Sequence, residues 1–514
     1  MKKLLKFAFI GLFLMTVNQS CTDLEEELFS EIRTEDFYQS DEEFISALGA
    51  AYTSLYFYMN HNTYLSAQEV SSDEIMIPQR GADWFDGGVW LRCHRHEFTP
   101  DEGYLNNMWN NLYGGINTCN RLIFQFNALP ESAGAAPFIA ELRTLRALFY
   151  YYLLDTFGNV PIIDKFDVDP GFQPETRPRA EVYNFVESEL TAAAQNLSKS
   201  VDGSTYARMQ FYVAQAILSK LYLNAEVYTG QPQWQKAIDA ADEVINSGNY
   251  ALENDYFVNF NTNNSSSTEN IFVIPYDEVF AGGFNLAQMT LHYLSQQTFR
   301  LTAQPWNGYC TISEFYNSYE DEDGRKGVYG DATVRGNFIA GPQFAADGTP
   351  LIDEAANDPD GPPLVFEPDV NEHFPNAHRQ AGARVGKYQF GAGSTPNLNN
   401  DAVVFRYADI LLTKAEAMWR MNPGSEEALE MVNMIRRRAG GIDEFDSLDA
   451  DNLLAERGRE MFYEGVRRQD LIRFGRFASG SWDFKDPADE KFNLFPIPRP
   501  QLDVNPNLDQ NPGY

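Results

Sequence analysis

Two distant stretches of the chain repeat one spacing of apolar and small residues. Ala214, Ile217, Leu218, Leu221, Tyr222 and Ala225 recur at steps of three and four, and Ala408, Leu411, Leu412, Ala415 and Trp419 do the same. That period puts each set on one face of an α-helix, and such a face must be covered by a partner. The partners come next in the chain. Gly230-Gln231-Pro232 breaks the first helix ahead of Trp234, Ala237, Ala240 and Ala241, and Asn422-Pro423-Gly424 breaks the second ahead of Ala428, Val432 and Ile435. Small residues let two backbones approach closely, so both stretches predict helix pairs of about 34 residues, the length of a tetratricopeptide-type unit. Further helices are predicted near 41–60, 102–126, 138–156, 179–197 and 453–474. The expected fold class is all-α: a tetratricopeptide-like scaffold whose units stack as one body.

The pattern lapses over 251–400, where Gly, Asn, Pro and aromatic residues surround only short apolar runs such as Asn270-Ile271-Phe272-Val273-Ile274. A stretch this long without helical period inside a compact domain reads as a functional insertion, here a ligand or partner surface. A second loop-rich region covers 71–100. The domain order is thus an N-terminal helical region over 41–250, the insertion over 251–400, and a C-terminal helical region over 401–514.

The N-terminus carries an address. Lys2, Lys3 and Lys6 precede an apolar run over 7–17, which ends at Asn18-Gln19-Ser20-Cys21. This is the order of a secretory signal, predicted to be removed as residues 1–20. Ser20-Cys21 resembles the lipobox at which bacterial lipoproteins are cut and acylated on cysteine, with Asn18 standing where that pattern carries an apolar residue. Cys21 is therefore the expected lipidation site, and plain secretion is the alternative. Residues 21–40 form an acidic tether whose Asp23, Glu25, Glu26 and Glu27 resemble an export tag for the outer face of the outer membrane.

Charge narrows the partners. A formal net charge of −34 repels phosphate backbones and anionic lipid surfaces, so no nucleic-acid partner is expected. Aromatic residues make up 14% of the chain, and most of that area belongs in a core. Once Cys21 is acylated, Cys93, Cys119 and Cys310 remain, an odd number that leaves at least one thiol free.

The C-terminal region carries the most specific pattern. Glu456-Arg457-Gly458-Arg459-Glu460, followed by Glu464-Gly465-Val466-Arg467-Arg468-Gln469-Asp470-Leu471-Ile472-Arg473-Phe474-Gly475, resembles a signature helix of the SusD/RagB family of outer-membrane nutrient-binding lipoproteins. The ending Phe495-Pro496-Ile497-Pro498-Arg499 and Asn505 to Tyr514 resembles the family's C-terminus. So do Leu145-Arg146-Ala147 with Phe157-Gly158-Asn159-Val160-Pro161, and Arg406-Tyr407-Ala408-Asp409. The resemblance runs from Cys21 to the end. It implies a lipid-anchored protein that caps a SusC-like TonB-dependent outer-membrane barrel and binds a nutrient, usually an oligosaccharide, outside the cell for uptake.

Sugar recognition needs aromatic faces for C–H patches and polar groups for hydroxyls. The first loop offers Asp73, Gln79, Arg80, Trp84, Phe85, Asp86 and Trp90, and the second offers Gln304, Trp306, Asn307 and Tyr309. Asp73, Arg80, Trp84, Trp90, Trp306, Asn307 and Tyr309 are the expected ligand-binding residues. Trp84 and Trp306 lead because Gly, Pro and polar residues flank them. No metal or cofactor is expected: Cys93-His94-Arg95-His96 lacks further ligands at zinc spacing, and Asp321-Glu322-Asp323-Gly324 lacks the oxygen ligands of an EF-hand. The Glu/Arg-rich helix at 456–473 reads as structural, with Glu464 spaced to pair with Arg467 and Arg468. No G-x-S-x-G, H-E-x-x-H or Walker A pattern is present, so no catalytic residue is assigned and the chain is expected not to be an enzyme. A surface glycoside hydrolase with two unlocated carboxylates is the alternative, as is a peptide in place of a glycan.

Overall fold

The computed structural model describes Tyr38 and residues 40–514, so the expected signal peptide, Cys21 and most of the tether lie outside the described residues. Phe44–Tyr514 form one compact unit. Its helices begin with α1 (Asp41–Tyr52), α2 (Tyr64–Val70), α3 (Val89–His94), α4 (Gly103–Asn127), α5 (Ala136–Thr156), α6 (Arg179–Ala193), α7 (Phe211–Leu223), α8 (Ala225–Thr229) and α9 (Trp234–Ile245). Short helices α10 (Leu286–Thr290), α11 (Ser295–Phe299) and α12 (Ser313–Asn317) belong to the insertion. Then follow α13 (Tyr407–Met421), α14 (Glu426–Ala439), α15 (Ala450–Met461), α16 (Arg467–Arg473) and α17 (Arg499–Val504). No described helix is long and apolar enough to cross a membrane.

Both predicted helix pairs form. Helix α7 packs on α9, and α13 packs on α14, while α9 also packs on α13 and so joins the two pairs that the sequence keeps far apart. The alanines are what permit this, since Ala237, Ala240, Ala241, Ala408 and Ala415 are all buried at the contacts. Local chemistry sets the ends. The Gln210 side chain accepts the Tyr212 N–H at the start of α7, Ser425 accepts from Ala428 at the start of α14, and Gly230 ends α8 in the left-handed conformation.

Two expectations need correction. The first is the single helix over 453–474, which is two helices, α15 and α16, separated by a turn with positive φ at Tyr463 and Gly465. The turn aims two backbone N–H groups at buried carboxylates: Tyr463 donates to Glu74 and Gly465 to Glu69. It also swings Glu464 away from Arg467 and Arg468. Glu464 pairs instead with Arg406 and Lys387, and Arg467 pairs with Asp73. The structural reading of the segment holds in a denser form. Arg406 also pairs with Glu269 and Glu460, and Arg325 bridges Asp323, Glu456 and Glu460, all buried. Burial acts against the charge on Glu456, but Arg325, Arg459 and Arg436 hold its carboxyl at about 2.

The second correction concerns the all-α expectation: the unit is helix-rich but carries small antiparallel sheets. Strand β1 (Ile75–Met76), β2 (Asn270–Ile274), β3 (Cys310–Thr311), β4 (Phe338–Ile339), β5 (Gly341–Pro342), β6 (Val365–Phe366), β7 (Arg384–Val385) and β8 (Ala402–Arg406) pair as β1–β3, β2–β8, β4–β7 and β5–β6. The β2–β8 pair closes the insertion at its two ends and leads straight into α13. The β1–β3 pair, with Ile75 opposite Thr311, ties the first aromatic loop to the second.

Candidate functional site

Where those two loops meet, His61, Ala82, Asp83, Trp84, Tyr293 and Trp306 line a shallow pocket of about 510 Å³. The Trp84 and Trp306 rings lie 5.6 Å apart at 60°, and His61 stands edge-on to both, at 5.7 Å and 5.1 Å. The two indoles therefore form a tilted cradle rather than a stack, so each keeps part of a face open, and both are half-buried.

The cradle is built from behind. Backbone N–H groups of Trp306, Asn307, Gly308 and Tyr309 donate to the carbonyls of Gln288, Leu291, Met289 and Met289 around α10, fixing the second loop. The buried Arg80 guanidinium donates to the carbonyls of Asn307 and Gly308, both at 2.8 Å, and of Ala381 at 2.7 Å, clamping the first loop to the second. Trp84 then lies directly on Gly308. A Cβ there would fall 2.1 Å from a Trp84 ring carbon and 2.8 Å from the Met289 carbonyl oxygen, so this position admits only glycine without movement.

Electrostatics leave the pocket without a free charge. Asp83 accepts from the Arg379 guanidinium through Oδ1 at 2.8 Å and from the Asn307 amide through Oδ2 at 3.1 Å. Arg379 also donates to Asp353 and lies 5.0 Å over the Tyr293 ring. Burial and the nearby Asp83 raise the Tyr293 phenol, which stays a neutral donor. Burial lowers His61, and its Nδ1 lies 2.8 Å from the Asn285 amide nitrogen, which assigns the proton of the neutral ring to Nε2. What remains is a neutral surface of aromatic faces with a phenol and an imidazole N–H at its edges.

Of the seven expected ligand residues, Trp84 and Trp306 line this pocket and the other five do not. Arg80 and Asn307 are buried struts, and Asn307 additionally accepts from Arg384 at 2.9 Å. Tyr309 is fully buried, its hydroxyl bonded to Ser66 and its ring 5.9 Å behind Trp84. Trp90 faces the core from α3, stacked on Tyr104 at 4.9 Å, with its Nε1–H donated to Asp86. Asp73 is bound to the Arg467 guanidinium at 2.6 Å. The correction has one cause: polar and aromatic types recur wherever irregular backbone has to be held, as well as where a ligand is. Gln79, Phe85, Asp86 and Gln304 also lie outside the lining. Sequence reasoning missed His61, Asp83 and Tyr293. His61 sits in the polar break Asn60-His61-Asn62 after the first helix, and Asp83 directly precedes Trp84. Tyr293 stands between His292 and Leu294 and offered no such signal.

The side chains of Cys93-His94-Arg95-His96 and Asp321-Glu322-Asp323-Gly324 are engaged otherwise. His94 Nε2 lies 2.7 Å from the Asp483 carbonyl and His96 Nε2 lies 2.8 Å from that of Ser71, while Asp323 is held by Arg325. No group of three metal-ligating side chains occurs among the described residues. Cys93, Cys119 and Cys310 are free and buried, and burial pushes the Cys93 and Cys119 thiols up to about 12.

The chain is similar to known proteins over most of its length. A model described as the SusD family matches residues 268–514, and one described as starch-binding associating with outer membrane matches residues 32–223. The starch-binding protein SusD of Bacteroides thetaiotaomicron is 28% identical over 73% of this chain and 72% of that protein. SusD-like protein P2 of Formosa agariphila is 27% identical over 99% of both. Among solved structures, a SusD superfamily protein from Parabacteroides distasonis aligns with a TM-score of 0.74 at 22% identity, covering 92% of this chain and 99% of that one. Surface glycan-binding protein A of Bacteroides thetaiotaomicron, solved with laminarihexaose, aligns with a TM-score of 0.71 at 23% identity over 92% and 99%.

Proposed function

The chain belongs to the SusD family, and from that premise we propose that it is an outer-membrane lipoprotein, anchored through Cys21 and facing the cell exterior, that binds a neutral oligosaccharide in the Trp84–Trp306 cradle. The captured sugar passes to a SusC-like TonB-dependent barrel. The helix pairs are read as tetratricopeptide-type units that hold the cradle rigid, and the insertion over 251–400 is read as ligand and partner surface. One observation carries the glycan reading: two half-open indoles 5.6 Å apart, on a surface with no free charge, match the C–H faces of sugar rings better than a charged peptide. Relatives named for starch and glycan binding support the same class.

The hydrolase alternative is not favoured. Hydrolysis needs two carboxyl groups facing one bond, whereas Asp83 is the one carboxylate in the lining and both its oxygens are engaged. Purified protein incubated with a panel of neutral glycans, acidic glycans and peptides is expected to bind a neutral glycan and release no new reducing ends. New reducing ends, or binding confined to peptides, would overturn the reading. Separately, Cys21→Ala should move the protein out of the membrane fraction. Unchanged fractionation would show that acylation at this residue is not the anchor.

A further inference from the structure

A second cavity, of about 520 Å³, lies between the 201–207 segment and the start of β2, and shares no lining residue with the indole pocket. Its apolar surface comes from Val201, Ile271 and Val273, and its rings from Tyr206 and Tyr250. Both rings are held in place. The Tyr206 hydroxyl is bonded to Asp401, and Tyr250 accepts from the Gln210 amide at 2.7 Å while meeting Tyr212 edge-on. Ala207, next to Tyr206, has a φ of 58°, a left-handed conformation that is strained for a non-glycine residue. The fold thus keeps a strained residue beside the ring it presents to the cavity.

The polar lining has unused capacity. Asn270 donates its amide N–H to the Asn259 carbonyl at 3.4 Å, while its Oδ1 has no hydrogen-bond partner, a state that is unfavourable unless a donor reaches it. Asn249 is exposed, and its side-chain amide makes no hydrogen bond among the described residues. No Lys or Arg lines the cavity, so an anion finds no partner. The carboxylate in the lining, Asp202, accepts from the Ser204 N–H at 2.8 Å and the Ser204 hydroxyl at 2.6 Å through Oδ1 alone, which leaves Oδ2 as an acceptor for a hydroxyl donor. Rings, an apolar floor, the Asn249 amide and a carboxylate oxygen open to hydroxyl donors, with no cation in the lining, together fit a neutral molecule rich in hydroxyls.

We propose that this cavity is a second saccharide-binding site, taking a short stretch of neutral sugar with Tyr206 and Tyr250 against its C–H faces and Asn249 and Asn270 on its hydroxyls. The inference goes beyond the indole cradle and does not depend on it. Two sites on one chain would hold a long glycan by raising its local concentration at each.

The test uses protein labelled with 3-fluorotyrosine, with the Tyr206 and Tyr250 signals assigned through Tyr206→Phe and Tyr250→Phe. Maltohexaose, laminarihexaose, cellohexaose, xylohexaose and mannohexaose are titrated into the unsubstituted protein and into the Trp84→Ala/Trp306→Ala variant, with a galacturonate oligomer as the charged control. The expected result is a saturable shift of the Tyr206 signal with at least one neutral hexaose and none with the control. That shift persists in the double variant and is weakened several-fold by Asn249→Ala. The proposal is overturned if none of the neutral hexaoses moves the signal at millimolar concentration, if the shift disappears with the two tryptophans, or if Asn249→Ala leaves it unchanged. Disappearance in the double variant counts only when that variant keeps the cooperative melting transition of the unsubstituted protein, so that unfolding is not scored as lost binding at this cavity. Loss of cradle binding alone would count against the first site only.

Discussion

Gly308 is the residue on which the cradle's geometry turns, although it touches no ligand. Trp84 rests on its missing side chain, and an added Cβ would collide with the indole and the Met289 carbonyl together. The indole has room to move toward solvent, while the backbone behind it does not. Gly308→Ala should therefore lower glycan affinity several-fold, and in a Trp84→Ala background the same change should cost little more, because the displaced ring is already gone. Equal losses in both backgrounds, measured by titration calorimetry, would mean that Gly308 acts through the backbone instead. At this scale the sequence was only half legible. Trp84 and Trp306 stood out by their Gly, Pro and polar neighbours, but Arg80, Asn307 and Tyr309 had the same kind of neighbours and point inward. Burial is a property of the whole fold, and neighbours in sequence do not reveal it when the backbone is irregular.

At the scale of elements, the break between α15 and α16 creates a buried carboxyl pair. Glu69 on α2 accepts the Gly465 N–H at 2.6 Å, and Glu74 accepts that of Tyr463 at 3.1 Å. One oxygen of each lacks a hydrogen-bond partner, and that of Glu74 lies 4.0 Å from the Arg467 guanidinium. Burial raises both carboxyls, Glu69 from 4.5 to about 7 against the opposing effect of the hydrogen bonds it shares with Glu74 and the Gly465 N–H. A raised carboxyl stabilises the fold in its protonated form. That contribution is complete below the unfolded value of 4.5 and is lost as pH rises through about 7. Its size is on the order of 2–3 kcal/mol, a few degrees in melting temperature. Glu69→Gln keeps an oxygen for the Gly465 N–H and removes the titration, so its melting temperature should fall less than that of the unsubstituted protein between about pH 5 and pH 8. Parallel pH profiles would refute a titrating Glu69. The helix pairs were readable beforehand because Ala408, Leu411, Leu412 and Ala415 declare a buried face by spacing alone. The α15–α16 break was not, because Tyr463 reverses φ for partners, Glu69 and Glu74, almost four hundred residues earlier in the chain.

Across the whole molecule, long-range pairing turns two loops into one site. The β1–β3 pair and the Arg80 clamp bring Trp84 beside Trp306, and the β2–β8 pair returns the insertion to the helical body at α13. The aromatic composition and the family-like C-terminal helix indicated a binding protein, but only the assembled fold shows which aromatics reach a surface. The cradle costs little to alter, since its rings are half-buried and rest on a frame fixed by main-chain hydrogen bonds to α10. The most direct test is paired affinity and thermal-melting measurement of Trp84→Ala and Trp306→Ala against a bound neutral oligosaccharide. The account predicts that each lowers affinity at least several-fold with melting temperature nearly unchanged. Retained affinity with lowered stability in both would make these tryptophans packing residues and contradict it.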